Sequence, residues 1–149
     1  MAEDRPPALT AAQINSFLDS EFPQIHRGGR VFTVEEAGHG SARMRMAYHE
    51  RFLRPGGTIS GPSMFTLADL AMYAAVLSAI GPRAQAVTVN LSINFLRRPQ
   101  PRDMIAEAKL LRLGKRLAVG EIALHSEGEE ELSAHATASY SIPSDDGVK

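Results

Sequence analysis

There is no cysteine in these 149 residues, and that one absence removes disulfides, a thiol nucleophile and thiolate metal ligands together. Histidine is sparse: His26, His39, His49, His125 and His135 show no short ligand spacing, so no metal site is expected. A clustered basic surface is also missing, the formal net charge being -1. No nucleic-acid partner is expected, because phosphate binding needs concentrated lysine and arginine. The start, Met1-Ala2-Glu3-Asp4-Arg5-Pro6-Pro7, has acids and prolines where a secretory signal needs a basic and then an apolar run, which reads as a soluble, cytoplasmic protein. No apolar stretch is expected to span a membrane, since the longest one is stopped by Gly81-Pro82 and interrupted by Asp69. Internal repeats and low-complexity segments are absent as well.

A further scarcity is local. Between Glu50 and Asp103 there is one carboxylate, Asp69, in the middle of the apolar run from Ser60 to Ile80. At 100° per residue, Pro62, Phe65, Thr66, Tyr73, Val76 and Ile80 share its face, while Met64, Leu67, Ala71, Ala74 and Ala75 fall opposite. Both faces are apolar. Such a helix is buried all round, and a carboxylate inside it costs several kcal/mol unless it is hydrogen-bonded, paired or neutral.

The rest of the chain reads as one domain over residues 1–149, with flexible ends at 1–9 and 143–149. Thr10 is placed to cap a short helix from Ala11 to Glu21, ended by Pro23. Arg30 to Ala37 and Ser41 to Tyr48, separated by Gly38-His39-Gly40, fit a hairpin. After the long helix, Val87 to Phe95 alternates apolar and polar side chains, and Thr88, Asn90, Ser92 and Asn94 are expected together on the outer sheet face. Met104 to Leu113, Leu117 to Ser126 and Leu132 to Ile142 are divided by the turn sequences Gly114-Lys115-Arg116 and Glu127-Gly128-Glu129-Glu130. The order predicts an α+β chain: about six antiparallel strands wrapped around one long helix, plus a short N-terminal helix. The sheet covers the alanine-rich face of that helix. Left bare, Phe65, Tyr73, Val76 and Ile80 would form a larger patch than monomers carry, so a homodimer joined edge to edge is expected, with stacking into a tetramer left open.

The segment Arg54-Pro55-Gly56-Gly57-Thr58 leads to Ser60-Gly61-Pro62 at the helix start. Free amides there can polarise a carbonyl oxygen, and Gly61 lets a substrate approach the backbone. Asp69 lies eight residues on, about 12 Å along the axis. Together they are an oxyanion donor and a base or nucleophile, the parts of an acyl-transfer site.

At these residues the chain resembles the hotdog-fold thioesterases of the PaaI-like (phenylacetic-acid degradation) and 4-hydroxybenzoyl-CoA group, over most of residues 25–142. In that group His-Gly-Gly opens the central helix, an acid follows eight positions after the first glycine, and a strand like Phe-Leu-Arg-Pro comes later. Here Ser60-Gly61-Pro62, Asp69 and Asn94-Phe95-Leu96-Arg97-Arg98-Pro99 take those places. The resemblance implies that Gly61 N–H polarises a thioester carbonyl, that Asp69 activates water or attacks, and that Asp69 meets the Gly61 of a facing subunit. It implies hydrolysis of an acyl-CoA or related thioester with no cofactor beyond the coenzyme A of the substrate. Arg54, Gly57, Ser60, Pro62, Phe65, Thr66, Tyr73, Arg97 and Arg98 become candidate substrate contacts.

Two positions depart from the group's pattern. Arg54 stands where the group has Asn or Gln, fifteen residues before the acid, and Tyr73 where it often has Thr or Ser, four after. A guanidinium can hold a carbonyl or phosphate with a charge an amide lacks. For Asp69 the plainer reading is a buried acid satisfied by a neighbouring hydroxyl such as Thr66. For the glycines it is an ordinary turn, for Arg97, Arg98, Lys115 and Arg116 solvated strand ends, for Tyr73 packing, and for His49 a surface strand end. Two other functions compete: a non-catalytic acyl-CoA-binding module, and a hydratase or dehydratase of the same fold. The latter is disfavoured because no histidine lies between His49 and His125.

Overall fold

Of the ends expected to be flexible, 1–9 and 143–149, residues 1–4 and 145–149 lie outside the residues, 5–144, that this computed structural model describes. Nearer the body of the chain, Ala8 N–H donates to Ser78 O at 2.7 Å, and the Arg83 guanidinium donates to Pro143 O at 3.1 Å.

Helix α1 spans Ala11–Glu21. Its start is a reciprocal capping box: Gln13 N–H donates to Thr10 Oγ1 at 3.2 Å and Thr10 N–H to Gln13 Oε1 at 2.8 Å, an arrangement that satisfies two otherwise orphaned amides. Ile14 and Leu18 are its buried residues. After a 3-10 turn at Pro23–His26 comes a hairpin of β1 (Phe32–Gly38) and β2 (Ser41–Met46). Both of its strands are shorter than expected at the end away from the turn. The Gly28-Gly29 pair, both at positive φ, precedes β1, and Asp103 Oδ1 takes the Tyr48 N–H at 2.7 Å just past β2.

The long helix α2 covers Gly61–Ile80 and stops at Gly81, whose φ of 89° is open to glycine at little cost. It is followed by β3 (Val87–Phe95), β4 (Met104–Leu113), β5 (Leu117–Ser126) and β6 (Ala134–Ser141). The six strands form one antiparallel sheet in the order β1-β2-β4-β5-β6-β3. All six contact α2, and Leu67, Ala71, Ala74 and Ala75 on its far side are fully buried. Contact is tightest at Gly120 of β5, where a Cβ would stand 2.8 Å from both Met72 Sδ and Lys109 O.

Three sequence expectations need correction. By length and mean hydropathy, 20 residues at 1.6, α2 is apolar enough to cross a membrane; the sheet wrapped around it buries that apolar surface instead. Secondly, the Asp69 face of α2 is partly covered by the chain itself. Phe17 and Phe22 meet Tyr73 edge-on at 6.4 Å and Tyr140 stacks on it at 6.0 Å, so Tyr73 and Val76 are buried while Phe65 stays 40% exposed. Thirdly, Thr88 does not face outward with Asn90, Ser92 and Asn94. The β3–β6 register shifts between Thr88 and Asn90, a bulge that opposes two residues to one. Thr88 is thereby turned to the helix side, opposite Tyr140, and Val89 is left 61% exposed.

Candidate active site

Two cavities flank α2, and each holds one of the two residues given a chemical role. The Gly61 cavity, about 420 Å³, is lined by Arg54, Thr58, Ile59, Met64, Phe95 and Arg98 among others. The Asp69 cavity, about 380 Å³, is bounded by Glu21, Phe22, Tyr73, Thr88 and Tyr140. Within one chain they share no lining residue.

At the first turn of α2 the amides are almost all accounted for. Pro62 has none, Ser63 N–H donates to the N-cap Ser60 Oγ at 3.3 Å, and Met64 N–H to Ser60 O at 3.2 Å. Among the described residues nothing accepts the Gly61 N–H. A buried or half-buried donor without a partner is expensive, and here it opens into a cavity. A side chain at this position would be crowded: a Cβ on Gly61 would meet Phe95 Cζ at 3.2 Å. Gly61 is needed for space, not for a special φ, whereas Gly56 and Gly57 turn the loop at φ 103° and 82°. Gly57 N–H is spent on Arg54 O at 3.0 Å, so it serves the turn.

Asp69 is half-buried, and its carboxylate is held from the sheet. Thr88 Oγ1 donates to Oδ1 at 2.7 Å, and Tyr140 OH lies 2.7 Å from the same oxygen and 3.0 Å from Asp69 O. No hydrogen bond reaches Oδ2 among the described residues. The expected hydroxyl neighbour, Thr66, is not a partner; its Oγ1 donates back to Pro62 O at 3.1 Å. Burial first, and the Asp69 charge second, push the Tyr140 phenol well above its ordinary pKa, so it stays a donor. Burial likewise raises Tyr73, whose hydroxyl donates to Ala84 O at 3.0 Å. Tyr73 is a wall of the Asp69 cavity with its own hydroxyl occupied.

The remaining candidates divide. Arg54 and Arg98 line the Gly61 cavity with no side-chain hydrogen bond or ion pair among the described residues, and no carboxylate lines that cavity. Arg97 lines it too, but its guanidinium is engaged by Glu131 and, at 4.0 Å, by Glu129. Pro62, Phe65 and Thr66 lie exposed on one strip of α2 and Ser60 is its N-cap. His49 Nδ1 accepts from Arg51 N–H at 3.0 Å and caps a 3-10 turn at Glu50–Phe52. Sequence reasoning missed Thr88, Tyr140 and Phe95. One signal was present: Tyr140 is the lone polar-tipped ring in the inward row Ala134, Ala136, Ala138, and a buried phenol seeks a partner.

The thioesterase superfamily model matches residues 56–133, from the glycine loop to the threshold of β6. A candidate esterase of Halobacterium salinarum is 35% identical over 120 residues, covering 76% of each chain. A crystal structure of a candidate thioesterase from Silicibacter sp. TM1040 superposes with a TM-score of 0.83 at 44% identity, covering 96% of both chains. The PaaI protein from the phenylacetic acid degradation operon of E. coli superposes with a TM-score of 0.72 at 20% identity over 87% of this chain and 89% of that one, a likeness of fold. These matches support thioester hydrolysis as the general activity. With the sheet and its central helix, they establish that the chain belongs to the thioesterase superfamily and has its hotdog fold.

Proposed function

We propose that the protein hydrolyses an acyl-CoA, or a related acyl thioester, at a seam between two copies of the chain. The observation that carries this reading is a pair of groups unspent among the described residues: the Gly61 N–H with no acceptor and the Asp69 Oδ2 with no donor, each beside its own cavity. About 12 Å apart along one helix, they are ill placed to act on one carbonyl within a chain. Supplied by facing chains, they can approach it from two sides.

The thioester carbonyl oxygen accepts from Gly61 N–H of one chain. Asp69 of the other takes a proton from water, and the hydroxide adds to the carbonyl carbon. The resulting oxyanion keeps the Gly61 hydrogen bond, which strengthens as charge develops on it. The C–S bond then breaks and the thiolate recovers the proton from Asp69, leaving free acid and thiol. If Asp69 attacks directly, a mixed anhydride forms and water cleaves it afterwards. A single turnover in ¹⁸O-water separates the two routes: general-base attack puts the label in the product acid, whereas direct attack followed by water at the Asp69 carbonyl puts it in the Asp69 carboxylate. Arg54 and Arg98, without an ion-pair partner among the described residues, supply charge to a carbonyl or phosphate of the substrate, and no cofactor is needed.

For the seam itself, β3 is a nine-residue edge strand, and Val87, Val89, Phe95 and nearby Leu96 are each more than half exposed. An open, apolar edge of that length invites pairing, and pairing two copies of β3 would make an edge-to-edge homodimer. A panel of acyl-CoA thioesters with free-thiol detection tests the reading. Asp69→Asn should keep the fold, judged by circular dichroism, and lower turnover by on the order of a hundredfold or more. Near wild-type turnover in that variant removes Asp69 from the mechanism. A retained ligand without turnover in the wild type means a binding module.

A further inference from the structure

Asp69 is held by groups that line its cavity but belong to the sheet, not to the helix. The Tyr140 ring is buried, stacked on Tyr73 with planes 22° apart. It is fixed in register on β6 between Ala118 of β5 and Thr88 of β3. From there its hydroxyl lies 2.7 Å from Asp69 Oδ1 and 3.0 Å from Asp69 O. Thr88 reaches the same Oδ1 at 2.7 Å. A carboxylate on an otherwise apolar helix has rotamer freedom of its own. Two donors from two different strands remove that freedom and make the two oxygens unequal.

We propose that Tyr140 is the positioning residue of the reaction: it anchors Oδ1 to the sheet so that Oδ2 is the oxygen that meets water or the acyl carbon. This rests on Asp69 being the base or nucleophile. The phenol suits the task because burial raises its pKa, so it stays a donor. Losing its hydroxyl frees the carboxylate to turn away from the reacting geometry.

Tyr140→Phe keeps the ring and deletes only the hydroxyl. In the full-length protein, with free-thiol detection on the acyl-CoA turned over fastest in the panel, kcat should fall about tenfold while KM stays within about twofold. Thr88→Val, which removes the other donor from an edge strand, should lower kcat in the same way with KM held. An unchanged kcat in a folded Tyr140→Phe protein overturns the proposal, since a packing role needs only the ring that phenylalanine keeps. So does a rise in KM alone. Should Tyr140→Phe fail to fold, Thr88→Val decides by the same split between kcat and KM. Asp69→Asn that still turns over would sink the role of Asp69 itself, a result distinguishable from any failure of Tyr140.

Discussion

Gly61→Ala separates a lost backbone donor from simple crowding. The added methyl would sit 3.2 Å from Phe95 Cζ, tighter than comfortable contact by a few tenths of an ångström. Phe95 is 52% exposed, so its ring can swing outward. Gly61 does not occupy a positive φ, so alanine brings no backbone strain and gains helix propensity, up to about 1 kcal/mol. Stability should therefore change by less than about 1 kcal/mol, read by chemical denaturation. Activity should change far more, because the methyl stands beside the first-turn amide that has no acceptor among the described residues and displaces the carbonyl oxygen from it. Losing one oxyanion donor costs about 10²–10³ in kcat; a displaced rather than deleted donor should cost the lower part of that range. The refuting result is a raised KM with kcat unchanged in a stable protein. That outcome would mean that Gly61 makes room for the substrate and polarises nothing.

Two further outcomes concern the scaffold. Gly120→Ala should destabilise by about 1–3 kcal/mol in a denaturant titration, because its Cβ would meet Lys109 O and Met72 Sδ at 2.8 Å and the backbone oxygen cannot yield; an unchanged midpoint would contradict the close packing of α2 on β5. Glu35 is held below its ordinary pKa, chiefly by the Arg45 guanidinium with Arg43 adding to it. Its contribution is therefore present above the ordinary carboxylate value and lost as pH falls through the folded value. Glu35→Gln should flatten the acid side of the Tm-against-pH curve, and a curve as steep as wild type would exclude that ion-pair group as a source of acid sensitivity.

Most of the scaffold was legible in the sequence because its periodicities are clean. The helix over Ala11–Glu21 and the strands over Met104–Leu113 and Leu117–Ser126 have the bounds read from pattern and turn residues alone. The bulge in β3 was not legible. The strict alternation from Val87 to Phe95 places Thr88 with Asn90 on the outer face, and only the pairing with β6 shows the shift that turns Thr88 inward. That single shift gives Asp69 one of its donors. Tyr140 was hidden for a related reason: it continued an inward row that already explained it as core. Asp69 and Gly61 stood out because each breaks its surroundings, a charge in an apolar helix and a bare backbone at a helix start. The separation of their two cavities is a three-dimensional fact about which residues line which side of α2, and helical spacing supplied only the distance.

The central claim is that each site draws Gly61 and Asp69 from different chains, and complementation tests it most directly. Asp69→Asn and Gly61→Val chains are each expected to be inactive as purified. Refolded together in equal amounts, they should form heterodimers in which one seam carries both defects and the other carries none. Random pairing makes half the dimers mixed, so about a quarter of wild-type activity should return. A mixture that stays inactive although the chains have exchanged, or a folded wild-type monomer that is active on its own, would contradict the shared site.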